Sequence, residues 1–189
     1  MRKLRLQVQL SVDGFNSAKD GQLDWMTWKW DEKLIEYTAK LTTPVDTILL
    51  GRKMTDGFIK HWANVASKPE SPEYEYGKIF TDTPKVVFTK TLKESQWPNT
   101  VLAKGDLKEE VNKLKNAAGG DIIVYGGSSF VSNLIKEGLI DEYQFYINPV
   151  ILGEGLTIFG DVKERQQLKL IKSTGFECCI TVLHYELNT

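Results

Sequence analysis

The stretch DIIVYGGSSFVSNLIKEG (121–138) decides the fold. Asp121–Tyr125 is a short, mainly apolar run, the pattern of a strand covered on both sides. Two glycines and two serines follow. Phe130, Val131, Leu134 and Ile135 then recur at helical spacing, with Gly138 as the stop. The same grammar occurs upstream in DTILLGRKMT (46–55). There a strand over 46–50 runs into Gly51 and a helix over 52–62, with Met54, Phe58 and Trp62 at i, i+4 and i+8.

The flanking segments extend this alternation. LRLQVQLSV (4–12) has period two, with Leu4, Leu6, Val8 and Leu10 on one face, and breaks at Asp13-Gly14. DEKLIEYTAKL (31–41) predicts a helix capped by Asp31, with Leu34, Ile35, Thr38 and Leu41 inward. KVVFT (85–89) and TVLA (100–103) read as strands. The stretch 106–120 reads as a helix with Asp106 and Glu109 at capping-box spacing. EYQFYINPVIL (142–152) is extended, and the tail reads as two antiparallel strands turned at Thr174-Gly175. The irregular stretch 63–84 is long for a connection and includes a short helix around Tyr74–Ile79. Strands separated by helices predict one α/β domain over residues 1–189: a mostly parallel sheet covered on both faces, finished by an antiparallel C-terminal hairpin.

Bulk properties exclude several classes. A chain of 189 residues, 41% hydrophobic and 26% charged, can bury a core of its own. A net charge of −1 with mixed signs leaves no basic stripe for nucleic acid. No apolar run reaches the ~18 residues of a membrane span. The N-terminal MRKLRLQVQL reads as the first strand of a cytoplasmic protein. Cys178 and Cys179, placed on a strand, would point to opposite faces, so they read as buried thiols rather than a disulfide or a pair of metal ligands. His61 and His184 show no ligand spacing, and no metal is expected.

The two glycine turns carry the chemistry. A glycine at a strand's C-terminal end lets a ligand approach the backbone, and the following helix offers unpaired N–H groups and partial positive charge. Such termini suit phosphate. Side by side, they could hold a pyrophosphate at the carboxyl edge of the sheet. The alternative is that the glycines serve tight packing and that Ser128 is an N-cap.

The run SVDGF…LDW…DTILLGRKMT…KVVFTK…IIVYGGSSF…DEYQFYINPVILGEGLTIF resembles the dihydrofolate reductase-like family. It is most similar to the branch containing the reductase domain of bacterial bifunctional riboflavin-biosynthesis deaminase-reductases. The resemblance implies an eight-stranded sheet with about four flanking helices, NADPH as hydride donor, and a homodimer. It assigns Gly51, Arg52, Lys53, Met54 and Thr55 to a turn holding cofactor phosphates. Thr89 and Lys90 match positions lining the adenosine 2′-phosphate. Gly126, Gly127, Ser128, Ser129 and Phe130 match the turn against pyrophosphate and nicotinamide. Thr157 matches a position near the carboxamide or ribose, and Gln9 and Leu10 the segment passing the nicotinamide ring.

On the substrate side, folate reductases use a carboxylate on the first helix; Asp31 and Glu32 are the candidates here, against a capping role for both. Trp25 and Trp28 could line a slot for a flat heterocycle, and Glu154 could meet a polar group. The expected activity is NADPH-dependent reduction of a pteridine-like or aminopyrimidine substrate, including 5-amino-6-(5-phosphoribosylamino)uracil. The alternatives are a non-catalytic nucleotide-binding protein on this fold, dihydrofolate reductase-type activity, and a flavin-binding redox protein. No HAE…PCxxC zinc signature of a fused deaminase occurs in the chain.

Overall fold

The computed structural model describes residues 1–71 and 73–188. Eight strands form one sheet: β1 (Leu4–Leu10), β2 (Val45–Gly51), β3 (Lys85–Phe88), β4 (Thr100–Ala103), β5 (Asp121–Val124), β6 (Glu142–Ile147), β7 (Leu168–Gly175) and β8 (Thr181–Leu187). Five helices accompany them: α1 (Glu32–Thr42), α2 (Arg52–Ala66), α3 (Tyr74–Asp82), α4 (Leu107–Asn116) and α5 (Ser128–Lys136). The spatial order is β4-β3-β2-β5-β1-β6-β8-β7. Pairing is parallel from β4 through β6, and antiparallel between β6 and β8 and between β8 and β7.

Binary pattern explains how the layers close. Leu4, Leu6, Val8 and Leu10 share one sheet face and pack with Val111, Val131, Leu134 and Ile135 of α4 and α5. The opposite face carries Ile48, Leu50 and Ile123 against Phe58 of α2, while Leu34 of α1 meets Tyr146, Ile180 and Val182. No helix among the described residues is long and apolar enough to cross a membrane.

The structure corrects several expectations. The short helix expected around Tyr74–Ile79 runs over Tyr74–Asp82, giving five helices among the described residues where about four were expected. Gly77 lets it approach α2: an added Cβ would lie 2.6 Å from the Ala66 backbone nitrogen. In α1, Ile35 is exposed while Leu34 and Thr38 are buried. Strand β6 stops at Ile147, short of the extended run to residue 152. The C-terminal hairpin turns after Gly175, where the Phe176 N–H donates to Ile180 O and the Cys179 N–H to Phe176 O. Cys178 and Cys179 therefore sit in a turn and not on a strand. Cys178 is half-buried and Cys179 exposed with φ of 68°, so they are not the buried strand thiols expected. Edge strand β7 shifts register between Leu170 and Lys172.

The amino ends of the central strands are tied by charge. Arg2 bridges the Asp46 carboxylate and Gly120 O, and Lys115 Nζ meets Asp141 at 2.6 Å. Glu142, nearly fully buried, accepts from Lys3 Nζ at 2.6 Å and lies 3.2 Å from His184 Nε2. Arg5 reaches Asp121 at 2.6 Å and Glu142 at 3.5 Å. The His184 hydrogen bond, then Lys3 and Arg5, hold the Glu142 carboxyl down at about 2. A carboxyl depressed in the folded state adds stability above its unfolded pKa of about 4.3 and loses it as pH falls toward the folded value. Glu142→Gln is therefore expected to lower the urea midpoint at neutral pH, with the gap to wild type shrinking below about pH 4. Urea titrations across that range check it.

Candidate functional site

Strands β2 and β5 are neighbours in parallel register, with Leu49 opposite Val124. Their carboxyl ends therefore deliver both glycine turns to the same edge. Gly51 is the N-cap of α2 and Gly127 the N-cap of α5, and neither helix start has a side-chain cap. Ser128 is the first residue of α5, not its cap.

The two turns use glycine for different reasons. A Cβ on Gly51 would sit 2.6 Å from Phe130 Cβ. Close packing of the α5 start onto the β2–α2 turn thus requires that glycine, and Phe130 occupies the space expected for a ligand there. Phe130 also contacts Phe88, with ring centroids 5.1 Å apart. At Gly126 the nearest atom to an added Cβ is Met54 Sδ at 3.6 Å, and at Gly127 it is Phe130 Cβ at 3.7 Å. Both are ordinary contacts. Gly127 has φ of 84°, which a side chain rarely adopts. The bare backbone of the site is Gly126–Gly127, bordered by Met54.

The remaining cofactor candidates are distributed around these turns. Thr55 is fully buried and donates back to Gly51 O at 3.0 Å, bracing the turn from within. Arg52 pairs with Asp56 at 2.7 Å and lies 5.1 Å over the Trp97 ring, while Trp97 Nε1 donates to Asp56 at 3.0 Å. Lys53 is exposed on the same helical turn, and Ser129 is exposed in the first turn of α5. Thr89 is buried and accepts the Thr91 and Leu92 N–H groups, shaping the loop after β3. Lys90 donates to the Lys104 and Gly105 carbonyls at 2.9 and 2.5 Å, so its charge stands where the loops after β3 and β4 meet.

Beyond β1 and β6 the chain builds a platform. Asp13 accepts the Gly153 and Leu152 N–H groups at 2.7 and 3.1 Å. The Ser11 hydroxyl and these N–H groups hold its carboxyl down at about 2. Thr157 donates to Gly14 O at 3.2 Å, and Leu156 and Ser17 form an isolated antiparallel bridge. The Leu10 side chain is buried beneath, while Gln9 is half-exposed and accepts from Asn148. Glu154 faces solvent and pairs with Lys19 at 3.2 Å; both line an open groove with Ala18, Asp20 and Leu152.

The tryptophans separate. Trp30 stacks on Tyr146 at 5.5 Å and belongs to the core, Trp28 is exposed, and Trp25 is half-buried with an indole nitrogen that has no partner among the described residues. Asp31 caps α1 through the Leu34 N–H and accepts the Cys178 N–H of the hairpin turn, both at 2.9 Å. These bonds, that from Cys178 foremost, lower its pKa. A carboxylate so held is unsuited to delivering a proton. Glu32 follows it on the exposed side of the helix. Sequence reasoning missed Trp97 and Asn148. Trp97 lies in an irregular loop without periodic or motif signal, and Asn148, inside the run that carries the family resemblance, had no role assigned to it. Among the described residues no group of three or more His, Cys, Asp or Glu could hold a metal ion.

This architecture is that of the dihydrofolate reductase-like α/β proteins. A dihydrofolate reductase from Enterococcus faecalis, complexed with NADP(H) and RAB-propyl, superposes with a TM-score of 0.62 at 15% identity, over 99% of this chain and 97% of its own. Residues 2–182 match the RibD C-terminal domain, and the chain belongs to that family. The uncharacterized protein YyaP of Bacillus subtilis (strain 168) is 35% identical over 189 residues, covering 99% of this chain and 96% of its own. The Thermotoga maritima diaminohydroxyphosphoribosylaminopyrimidine deaminase/5-amino-6-(5-phosphoribosylamino)uracil reductase has a TM-score of 0.68 at 17% identity. The match covers 99% of this chain and 57% of that one.

Because Asp31 joins the α1 start to the C-terminal hairpin, Asp31→Ala is expected to lower the thermal midpoint by a few degrees. Asp31→Asn keeps one accepting oxygen but sets its NH2 against the other N–H, so it should recover only part of the loss. Calorimetry of the two variants checks this.

Proposed function

We propose that the protein is an NADPH-dependent reductase of a small aminopyrimidine or pteridine-like ring, with 5-amino-6-(5-phosphoribosylamino)uracil the specific candidate. The observation that carries this is the side-chain-free Gly126–Gly127 backbone at the uncapped start of α5, next to the start of α2. Anionic oxygens of a diphosphate suit that position, where the first-turn N–H groups of α5 have no intrahelical acceptor. Lys53 adds positive charge at the neighbouring helix start, where Arg52 is paired with Asp56, and Lys90 adds it at the loop after β3. A nicotinamide bound beyond β1 would supply hydride.

This chain's own residues position and shield. The platform stapled by Asp13 and Thr157 would support the ring end of the bound cofactor, with the half-exposed Gln9 near the end of β1. The likeness to the Thermotoga uracil reductase and to the Enterococcus dihydrofolate reductase with NADP(H) supports a pyrimidine or pterin substrate and NADP(H). The reading includes a cytoplasmic homodimer, whose association sedimentation of the purified chain tests. A nucleotide-binding protein without turnover is the competing reading, separated by following NADPH oxidation with aminopyrimidine or pterin acceptors.

Titration with NADPH and NADH, followed by tryptophan fluorescence, is the direct test. Gly126→Val should bind NADPH roughly tenfold more weakly or worse while keeping its near-ultraviolet dichroism. Lys90→Glu should weaken NADPH more than NADH, because only NADPH carries the 2′-phosphate. Unchanged NADPH affinity in folded Gly126→Val would refute the placement.

A further inference from the structure

The amide polarity of one residue pair points to what kind of ring the cleft selects. Asn148 follows β6, is fully buried, and is anchored by its own N–H to Leu10 O at 2.8 Å. Its carboxamide has one accepting and one donating end, and its surroundings permit a single orientation. The Thr27 N–H can only donate, and it meets Oδ1 at 2.8 Å. The Tyr146 carbonyl can only accept, and it lies 3.3 Å from Nδ2. The end facing Gln9 is therefore Nδ2, and Gln9 must answer it with Oε1, 3.1 Å away.

That assignment fixes Gln9 in turn. Its Nε2 carries two N–H donors with no acceptor among the described residues. The side chain is half-exposed near the carboxyl end of β1, a strand paired directly with the one leading to Gly126. A second open donor lies in the segment that Asn148 holds. Trp25 Nε1, two residues before the Thr27 that Asn148 holds, is a buried donor without an acceptor among the described residues. A buried donor left open calls for an acceptor, and a half-exposed one can exchange water for a ligand's oxygen.

We propose that Gln9 is a specificity-determining residue, whose Nε2 donates to a ring carbonyl oxygen, so that the cleft selects oxo-substituted over amino-substituted pyrimidines. Asn148 is the positioning residue that sets this polarity. An amino group at the same ring position would oppose N–H to N–H and leave both donors unpaired. The inference deepens, and rests on, the reading of the cleft as a heterocycle site.

The test is equilibrium binding of two probes, 6-aminouracil and 2,4,6-triaminopyrimidine, followed by tryptophan fluorescence at mildly alkaline pH where both are neutral. They share a ring and one amino group; two positions bear oxygen in one and NH2 in the other, and the ring nitrogens carry hydrogen only in 6-aminouracil. Wild type is expected to favour 6-aminouracil by roughly tenfold or more. In Gln9→Glu, Asn148 Nδ2 holds one carboxylate oxygen and the other faces the cleft, so the preference should invert. Asn148→Asp should shift it the same way without touching the probe, because Gln9 then turns Nε2 toward the new carboxylate. A wild-type preference for triaminopyrimidine, no binding of either probe, or an unchanged ratio in folded Gln9→Glu overturns the proposal. NADPH titrations of wild type run alongside separate the two readings. NADPH binding with an unchanged ratio sinks only this inference, whereas failure to bind NADPH sinks the cofactor reading whatever the ratio.

Discussion

The contact of Phe130 with the bare Cα of Gly51 governs the geometry of the whole carboxyl edge. Parallel pairing of β2 with β5 brings two strand ends together, but strand spacing alone does not seat one helix start against the other. With no Cβ at 51, the α5 start can close onto the β2–α2 turn, and the two uncapped helix ends become neighbours. Their partial positive charges reinforce each other only at such short range, since the effect fades within the first turn. A side chain at 51 would collide with Phe130 at 2.6 Å and force the turns apart.

The two edges of the sheet are held by opposite means. At the amino edge, Arg2, Lys3, Arg5 and Lys115 pair with Asp46, Asp121, Asp141 and Glu142, joining four strands by charge. At the carboxyl edge the backbone itself is the main resource: glycine turns, free helix N–H groups, and loops sewn together by Asp13. Partly buried ion pairs fix register at the amino edge. Backbone amides left open keep the other edge receptive without committing a charged side chain to one partner.

Much of the architecture was legible because its cause is local. Alternation in Leu4–Leu10 and 3.6-residue spacing in Phe130–Ile135 depend on which face is buried, and burial followed the pattern. The glycine turns were legible as places, but their individual roles were not. Whether Gly51 admits a ligand or an aromatic ring depends on Phe130, 79 residues away in the chain and adjacent only after β2 pairs with β5. The turn of the C-terminal hairpin was misplaced because Thr174-Gly175 has turn chemistry, while the actual turn passes through Cys179 in a left-handed conformation that cysteine seldom takes. Asp31 shows the same limit: a cap could be read from its spacing, whereas its second bond, to the Cys178 N–H, joins residues 147 apart. The Gln9–Asn148 pair escaped notice altogether, since amide orientation is decided by three neighbours from different segments.

The register shift between Leu170 and Lys172 has a bearing on the protein's behaviour in concentrated solution. Strand β7 is the outer margin of the sheet and exposes Leu170 and Ile171, an apolar ledge with unsatisfied backbone groups beside it. A straight ledge would template a foreign strand. The bulge throws its hydrogen-bonding row out of step, and Lys169 and Lys172 set charge on either side of the two apolar residues. Fibrous stacking through this margin is thereby frustrated, although its most greasy side chains lie in plain view of water.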